Sequence, residues 1–406
     1  MKNTALQAEI NTIPKNWEVV KLEDIIASFH NGIWGDDPLP NLISYPVIRS
    51  TEITCDGKID LSTVAFRKIP EDKVNKFTLD DGDILLVASS GSPDLIGRAA
   101  LFRQPDDDRV YLFSNFMLRI RSQTIDQNFL FYVLSSQHYY HFLKSLQQTS
   151  TGLRNLPKKN FLNFTIPYPP LAEQHKIAEI LSTVDEAIEQ VDKAIEKTGK
   201  LKKGLMQELL TKGIGHTKFK DTEIGRIPKD WEVVRIDNIL SLEYGEGLTQ
   251  RERIEGRYPV LGSNGIVGYN NKAIVTGPGI VVGRKGSIGA VTWVDEDFWP
   301  IDTTYYIRIV DNRCNLKWVY HKMMMLNLCR LNMATGVPGL NRELVYLNKI
   351  GIPTLNEQER TVAILDAMDM RKNVYEDRRD RFMRIKKGLM NDLLTGRKRV
   401  IVGGEI

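Results

Sequence analysis

Ile-Pro-Lys-Asn-Trp-Glu-Val-Val at residues 13–20 returns, with one substitution, as Ile-Pro-Lys-Asp-Trp-Glu-Val-Val at residues 227–234. Two further strings recur in the same order: Leu-Ala-Glu-Gln at 171–174 with Leu-Asn-Glu-Gln at 355–358, and Lys-Lys-Gly-Leu-Met at 202–206 and again at 386–390. A repeat of this length indicates duplicated domains rather than a solenoid. A duplicated chain has pseudo-twofold character, which suits a partner with two related sites, such as duplex DNA.

The composition is typical of a globular protein. The chain has 406 residues, of which 26% are charged and 42% hydrophobic, and its net charge of +4 favours a nucleic-acid partner only weakly. Cys55, Cys314 and Cys329 are too far apart for an obvious zinc site or disulfide framework, as is usual in a reducing compartment. Because no signal peptide or membrane span is visible, we expect a cytoplasmic protein.

The region between each repeated opening and closing predicts an α+β domain. Short β-branched runs separated by Gly, Asp, Pro and Asn are typical of strands and turns. A faint register relates the two copies, and its paired segments are 45–47 with 258–260, 82–87 with 279–282, 117–120 with 306–309, and 151–156 with 335–340. Residues 129–143 and 316–331 predict short amphipathic helices. Each middle is therefore expected to combine a mostly antiparallel or mixed sheet with short helices.

The first closing segment predicts a long helix over residues 173–210, because it lacks proline and its apolar residues alternate at spacings of three and four. Pro169 and Pro170 precede it, and Gly213 and Gly215 follow it. At about 1.5 Å per residue the helix would be roughly 60 Å long. The predicted apolar stripe consists of Ile177, Leu181, Val184, Ile188, Val191, Ile195, Leu201, Leu205 and Leu209.

A second long helix is predicted from Asn356 to about Leu394. Its stripe consists of Leu365, Met368, Tyr375, Phe382, Ile385, Leu389 and Leu393, and Lys372 and Arg379 interrupt it. Neither helix is apolar all round, so we expect the two to pair antiparallel and to hold the two globular parts apart. The alternative is that these helices mediate homodimerisation of a coiled-coil scaffold.

Residues 283–289, Gly-Arg-Lys-Gly-Ser-Ile-Gly, are the sharpest functional candidate. Glycines allow close approach to a ligand, and two cations with a hydroxyl suit phosphates or guanine edges. The alternative is a hairpin turn with solvated charges. The candidate DNA contacts of the second copy are Arg251, Arg253, Ser263, Asn264, Lys272, Arg284, Lys285 and Ser287.

The first copy carries equivalent candidates that are less basic. They are Arg49, Ser50, Thr51, Ser89, Ser90, Ser92, Arg98 and Arg154. Arginine with small polar residues can contact phosphates and base edges. The same residues can equally cap turns or form solvated loops.

The motifs of catalysis are missing from the sequence. There is no Walker loop, no methyltransferase motif with its Asn/Asp-Pro-Pro-aromatic string, no nuclease carboxylate pattern and no His cluster with metal spacing. We therefore expect neither catalytic residues nor a bound metal, and hence a binding protein rather than an enzyme.

The chain resembles the specificity (S) subunit of type I restriction-modification systems. The resemblance rests on the paired openings, on Pro-Pro-Leu-Ala-Glu-Gln-His-Lys-Ile-Ala-Glu-Ile-Leu at 169–181, and on the paired Lys-Lys-Gly-Leu-Met…Leu-Leu-Thr closings. Strings like 169–181 recur at the head of that family's spacer helices. The alternative is a specificity module of a related system that is not type I.

The resemblance implies two tandem target-recognition domains, at residues 1–168 and 216–352, joined by two antiparallel spacer helices, at 169–215 and 353–406. Each domain would read one half of an interrupted DNA target. Two methyltransferase (M) subunits would dock and methylate an adenine in each half, and restriction (R) subunits would join for ATP-dependent cleavage. S-adenosylmethionine, ATP and magnesium would belong to those partners, with no cofactor in this chain.

Overall fold

The computed structural model describes residues 13–40, 42–54, 56–147, 155–331 and 339–401. The chain forms two compact units. Unit 1 comprises Met1–Gln190 and Arg378–Ile406, and unit 2 comprises Val191–Asp377. Each unit therefore contains one globular part and one segment of each long helix.

Unit 1 begins with strands and short helices. Its strands are β1 (Glu18–Lys21), β2 (Ile26–Asn31), β3 (Tyr45–Ile48), β4 (Ala65–Arg67), β5 (Ile84–Val87), β6 (Ala99–Leu101), β7 (Leu112–Phe113), β8 (Met117–Ser122) and β9 (Thr165–Tyr168). Its short helices are α1 (Leu22–Ile25), α2 (Glu71–Phe77), α3 (Gln127–Val133), α4 (Gln137–Gln147) and α5 (Lys158–Leu162), with 3-10 turns at Ser50–Glu52, Leu61–Thr63 and Pro93–Leu95. The first long helix, α6 (Leu171–Lys212), follows.

Unit 2 has a similar order of elements, and its globular part begins with an additional two-stranded hairpin. Its strands are β10 (Phe219–Thr222), β11 (Gly225–Pro228), β12 (Glu232–Arg235), β13 (Leu240–Tyr244), β14 (Tyr258–Gly262), β15 (Gly265–Asn270), β16 (Gly279–Gly283), β17 (Val291–Val294), β18 (Trp299–Pro300), β19 (Thr304–Ile309) and β20 (Lys349–Ile352). Helices α7 (Leu316–Met325) and α8 (Arg342–Tyr346), with 3-10 turns at Ile236–Asn238 and Leu328–Leu331, precede the second long helix, α9 (Leu355–Leu393).

The two units have the same sheet topology. In unit 1 a four-stranded antiparallel sheet has the order β2-β8-β5-β6, and a three-stranded sheet has the order β4-β3-β7. The corresponding sheets of unit 2 are β13-β19-β16-β17 and β15-β14-β18. The pairs β3–β7 and β14–β18 are parallel, so both three-stranded sheets are mixed. The predicted α+β class with two tandem units is confirmed.

The repeated Trp-Glu-Val-Val string is the strand that ties the start of each unit to its long helix. β1 pairs antiparallel with β9, and β12 pairs in the same way with β20. Because β9 and β20 each end just before a long helix, this pairing brings the tryptophan of the string to the helix start. Trp17 and Trp231 are both buried there.

In unit 1 the tryptophan is held by a buried carboxylate. Trp17 Nε1 donates to Glu173 Oε2 at 2.9 Å, and Glu173 also accepts Arg399 Nε at 2.6 Å. The next residue, Gln174, is fully buried and donates to Pro169 O at 2.7 Å while accepting the backbone N–H of Asp126 at 2.9 Å. We call Trp17, Glu173 and Gln174 the Trp–Glu joint of unit 1.

Unit 2 has the equivalent Trp–Glu joint, formed by Trp231, Glu357 and Gln358. Trp231 Nε1 donates to Glu357 Oε2 at 3.1 Å, and His216 Nε2 lies 2.9 Å from Glu357 Oε1. Gln358 donates to Pro353 O at 3.1 Å and accepts the N–H of Asn315 at 2.8 Å. These contacts explain why Glu-Gln recurs at both helix starts.

The long helices run antiparallel within each unit, as the sequence predicts. In unit 1, Glu173 near the start of α6 pairs with Arg399 beyond the end of α9, and Asp185 pairs with Lys386 at 2.6 Å. In unit 2, Lys202 pairs with Asp369 at 2.5 Å. The repeated Lys-Lys-Gly string thus supplies the same cross-helix ion pair twice.

The predicted apolar stripes need one correction in each helix. Leu201 is 52% exposed, whereas Thr198 is 7% exposed, so the buried face of α6 passes through Thr198 and Lys202. Ile385 is likewise 50% exposed, and Lys386 takes its inward place in α9. The remaining predicted spacer positions are buried or partly buried: Leu181, Val184, Ile188, Val191, Ile195, Leu205, Leu365, Met368, Tyr375, Phe382 and Leu389.

The predicted helices at 129–143 and 316–331 are each interrupted. Residues 134–136 separate α3 from α4, and α7 ends at Met325 before the 3-10 turn at Leu328–Leu331. Asp126 and Asn315 cap the first helix of each pair through their side chains. The aromatic and leucine residues of these helices fill the core of each unit. Among the described helices, none has the length and apolar character of a membrane span.

We expect Glu173→Ala to lower the free energy of unfolding by about 3 kcal/mol, because it leaves the buried Trp17 N–H without an acceptor and removes the carboxylate that pairs with Arg399. Urea denaturation followed by tryptophan fluorescence measures the change. Glu179→Ala is the matched control, since Glu179 makes only an exposed ion pair with Lys176 on the same helix. Equal midpoints for the two variants would contradict the role of the joint.

His321 is a buried histidine from which we expect acid sensitivity in unit 2. Its side chain is fully buried, neither ring nitrogen has a hydrogen-bond partner, and burial lowers its pKa from 6.5 to about 4. Lys202 and Lys317 lower this pKa further, while Asp369 opposes them; Asp366 lies 3.8 Å from Nε2. As the pH falls, the unfolded chain therefore binds a proton at this histidine at a higher pH than the folded chain does.

From pH 7.5 to pH 5 we expect this group alone to remove about 2 kcal/mol of stability, with the loss beginning near pH 6.5. His321→Leu should abolish that part of the pH dependence. His141→Leu, at an exposed position of α4, should leave it intact. Urea unfolding of the three proteins at both pH values measures the difference, and an identical pH dependence in all three would refute the assignment.

Candidate nucleic-acid interface

The predicted loop of unit 2 follows β16 and is fixed by its backbone. Arg284 and Lys285 both donate their N–H groups to Thr303 O, at 2.9 and 3.1 Å, and Arg284 O accepts the N–H of Leu340 at 2.8 Å. Ser263, after β14, lies against the same loop, because a Cβ on Gly286 would stand 3.1 Å from Ser263 Oγ. Two predicted segments, Ser263 and 284–287, therefore meet, and Leu340 at the end of the repeated segment 335–340 binds the same loop.

Gly283 and Gly286, two of the three glycines in this loop, show why the loop requires glycine. A Cβ on Gly283 would lie 2.1 Å from Ser287 O, and Gly286 has a φ of +76°, in the left-handed region. The glycines thus let the loop fold tightly against Ser263 and Ser287. Lys285 at its tip is exposed, and Ser287 is partly exposed.

The side chain of Arg284 rests on aromatic rings. Its guanidinium carbon lies 5.2 Å from the centroid of Tyr244 and 6.0 Å from that of Tyr305. Arg284 Nε is buried and has no hydrogen-bond partner. Cation–π contacts of this kind contribute about 0.5–2 kcal/mol. They hold the guanidinium in place, and no side-chain hydrogen bond of Arg284 is formed with the residues that the structure describes.

Arg342 joins the same tyrosine, and sequence reasoning missed both Tyr244 and Arg342. The Arg342 guanidinium carbon lies 5.1 Å from the centroid of Tyr244, whose side chain is 52% exposed. Tyr244 ends β13 and Arg342 begins α8, so no local pattern joins them. The signal available in the sequence was the position of Arg342, two residues after the repeated segment 335–340.

Tyr305 links this group to the backbone. Its hydroxyl donates to Leu340 O at 3.1 Å, and its ring lies 5.0 Å from that of Tyr244. Burial, followed by the hydrogen bond with Tyr244, raises the pKa of Tyr305 to about 12. The hydroxyl therefore ties β19 to Leu340, whose N–H in turn binds Arg284 O in the loop after β16.

The remaining candidates of unit 2 do not all face solvent. Arg253 donates to Val267 O at 2.7 Å, and its Nε is buried, so this side chain braces the β15 hairpin. Arg251, Asn264 and Lys272 are exposed. The structure places none of these four against the loop at 284–287 by a described contact.

Unit 1 builds the same loop with smaller side chains. Leu156 donates its N–H to Ala88 O at 2.7 Å, as Leu340 does to Arg284 O, and Ser89 Oγ donates to Asn155 Oδ1 at 2.5 Å. Ser90 Oγ accepts the N–H of Ser92 at 3.1 Å. Arg98 is partly exposed, and its carbonyl accepts from β5. Arg154 lies outside the described residues.

Arg49 is held by a buried carboxylate. Its guanidinium donates to Glu52 at 2.6 Å, and Thr51 Oγ1 donates to the same carboxylate at 2.9 Å. Glu52 is 1% exposed. Ser50 begins the 3-10 turn between them. Arg49 and Thr51 thus have a structural bond that Arg284 lacks, which makes them weaker candidates for direct contact.

In the part of the chain that the structure describes, no group of three or more His, Cys, Asp or Glu side chains is arranged to hold a metal ion. The described site offers guanidinium, ammonium, hydroxyl and aromatic groups. Such groups bind anions and base edges.

Comparison with known proteins assigns both units to the same kind of domain. A family model described as the type I restriction modification DNA specificity domain matches residues 14–197 and 228–379. The type I restriction enzyme MjaVIII specificity subunit of Methanocaldococcus jannaschii is 28% identical over 431 residues, covering 96% of this chain and 94% of that protein.

Two solved structures share the fold. The S subunit of the type I restriction-modification system from M. genitalium gives a TM-score of 0.61 at 17% identity and covers 95% of this chain and 97% of its own. A chain from a structure on complex assembly and conformational transition of the type I R-M system gives 0.55 at 17% identity, covering 94% and 98%. With the family model matching most of both units, this chain belongs to the family of type I restriction-modification specificity subunits.

Proposed function

We propose that this chain reads a bipartite, interrupted DNA sequence and has no active site of its own, each globular part contacting one half of the target. The observation that carries the proposal is the loop after β5 and β16. Its backbone bonds are the same in both units, but unit 2 presents Arg284 and Lys285 where unit 1 presents Ala88 and Ser89. A constant framework with different polar side chains suits two readers of different sequences.

We assign the two readers to residues 1–168 and 216–352, and the spacers to 169–215 and 353–406. The spacer helices would set the number of base pairs between the two half-sites. The cross-helix ion pairs Asp185–Lys386 and Lys202–Asp369 support this role, because they fix the register of α6 against α9 within each unit.

Two methyltransferase (M) subunits would dock on the chain, each modifying one adenine flipped out of a half-site, and restriction (R) subunits would join for cleavage. S-adenosylmethionine, ATP and magnesium would then be bound by these partners. Membership of the specificity family and the absence of catalytic motifs from the sequence support this division of labour. With a net charge of only +4, the free chain should bind DNA weakly and the complex strongly.

Replacing Arg284 by Ala should change one half-site only. Loss of a bidentate guanine contact costs about 1–3 kcal/mol of discrimination, so the methylated motif should become degenerate at one position of the unit 2 half. Sequencing of methyladenine in cells that express the variant with its methyltransferase measures this. Arg313→Ala is the control, because Arg313 is engaged with Asp311 and Glu232. An unchanged motif in the Arg284 variant would make the loop a turn and nothing more.

Lengthening both long helices should alter only the number of base pairs between the two half-sites. Seven residues inserted after Gln190 in α6 and after Asp377 in α9 add about 10 Å of helix, equivalent to roughly three base pairs. We expect a methylated motif with unchanged halves and a longer gap. A four-residue insertion serves as a second length. If either half-site changes instead, the division into readers and spacers is wrong.

A further inference from the structure

Two arginine guanidinium groups lie against the half-exposed ring of Tyr244. Arg284 and Arg342 lie 5.2 and 5.1 Å from its centroid, and they come from the loop after β16 and from the start of α8. We propose that Arg342 contacts a DNA backbone phosphate beside the base contact of Arg284, and that Tyr244 is the positioning residue that holds both arginines. The inference rests on the proposed function and extends it to residues outside the predicted loops.

The charge balance of the group points to an anionic ligand. Two like charges on one ring repel each other, and a protein normally offsets them with carboxylates. Among the described residues, Arg284 forms no ion pair, and Arg342 has only the exposed Glu343, at 3.4 Å. A phosphate oxygen near the two guanidinium groups would supply the missing negative charge.

Unit 1 provides an internal comparison. Trp34 also carries two arginines, with Arg67 at 4.1 Å and Arg49 at 5.9 Å from its ring centroid. There, however, Arg49 pairs with the buried Glu52, and Arg67 pairs with Asp37. Asp37, like Glu343, is exposed, so the two groups differ by the buried Glu52: the group of unit 1 contains a buried carboxylate, and among the described residues the group of unit 2 does not.

The group of unit 2 is also built rigidly. Leu340 N–H binds Arg284 O, and Tyr305 Oη binds Leu340 O, so the strand ends and the segment before α8 are fixed to one another. Asn341 caps α8 by accepting the N–H of Glu343 at 2.9 Å, which sets the direction in which Arg342 leaves the backbone. A preformed pair of cations binds with little loss of side-chain entropy.

The two arginines should have different tasks. Arg284 lies in a loop whose glycines permit close approach, as contact with a base edge requires. Arg342 lies on a helix beside that loop, where a phosphate contact positions the duplex without carrying sequence information. Loss of Arg342 should therefore weaken all targets alike, whereas loss of Arg284 should alter the motif.

The test uses the purified complex of the chain with its methyltransferase and a labelled duplex that carries the interrupted target found by methylation mapping. Anisotropy titrations from roughly 50 to 200 mM KCl give affinity and salt slope. For Arg342→Ala we expect roughly tenfold weaker binding, a slope smaller by about one and an unchanged motif. Arg226→Ala is the matched control, because Arg226 also stacks on an aromatic ring, Phe219, at 5.3 Å.

Two tyrosine variants separate positioning from simple loss of structure. Tyr244→Phe keeps the ring and should bind within about twofold of wild type, whereas Tyr244→Leu should combine the weaker, less salt-dependent binding of the Arg342 variant with the degenerate motif of the Arg284 variant. If Tyr244→Leu does not fold, Arg342→Ala decides alone, because Arg342 is at the surface.

The outcomes separate this inference from the function on which it rests. Arg342→Ala with the salt slope and affinity of Arg226→Ala would overturn the inference while leaving the reading function intact. Tyr244→Phe as defective as Tyr244→Leu would overturn the positioning role. A wild-type complex with no preference for the mapped duplex over a scrambled one would overturn the proposed function, and the inference with it.

Discussion

A buried carboxylate at the head of each long helix connects the parts of each unit. Glu173 joins the opening strand, through Trp17, to the segment that follows the other helix, through Arg399, and Glu357 does the same with Trp231 and His216. A buried charge is stable only when it is paired and hydrogen-bonded, so these residues cannot vary independently. This constraint holds the opening strand of each unit against the start of its long helix.

Duplication has kept the framework and changed the contact surface. The Trp–Glu joints, the cross-helix pairs of aspartate with lysine, and the bonds of Leu156 and Leu340 to the preceding loops are the same in both units. At the loops themselves, unit 1 has Ala88 and Ser89 at the positions that Arg284 and Lys285 occupy in unit 2. Backbone bonds that do not depend on side-chain identity allow this, because the loop keeps its shape while its chemistry changes.

The sequence was sufficient for the fold because the repeated strings are themselves the framework: Trp-Glu-Val-Val forms a strand, and Glu-Gln begins a helix. The apolar periodicity placed Leu201 and Ile385 on the buried helix faces, but both are exposed. Lys202 and Lys386 turn inward instead to reach aspartates, and this cannot be predicted from periodicity. Tyr244 and Arg342 escaped notice because their meeting with Arg284 depends on tertiary contacts between distant segments. Arg49 and Arg253 could not be separated from Arg284, because partners such as Glu52 are visible only in the folded chain.

The central claim is that one chain reads two separate half-sites. The most direct measurement is a genome-wide map of methyladenine in a host free of adenine methylation, expressing this chain with its partner methyltransferase. The account predicts a single motif of two specified halves separated by unspecified bases, with methyladenine in both halves. A continuous motif, a motif with one specified half, or no motif from a folded and assembled complex would contradict it.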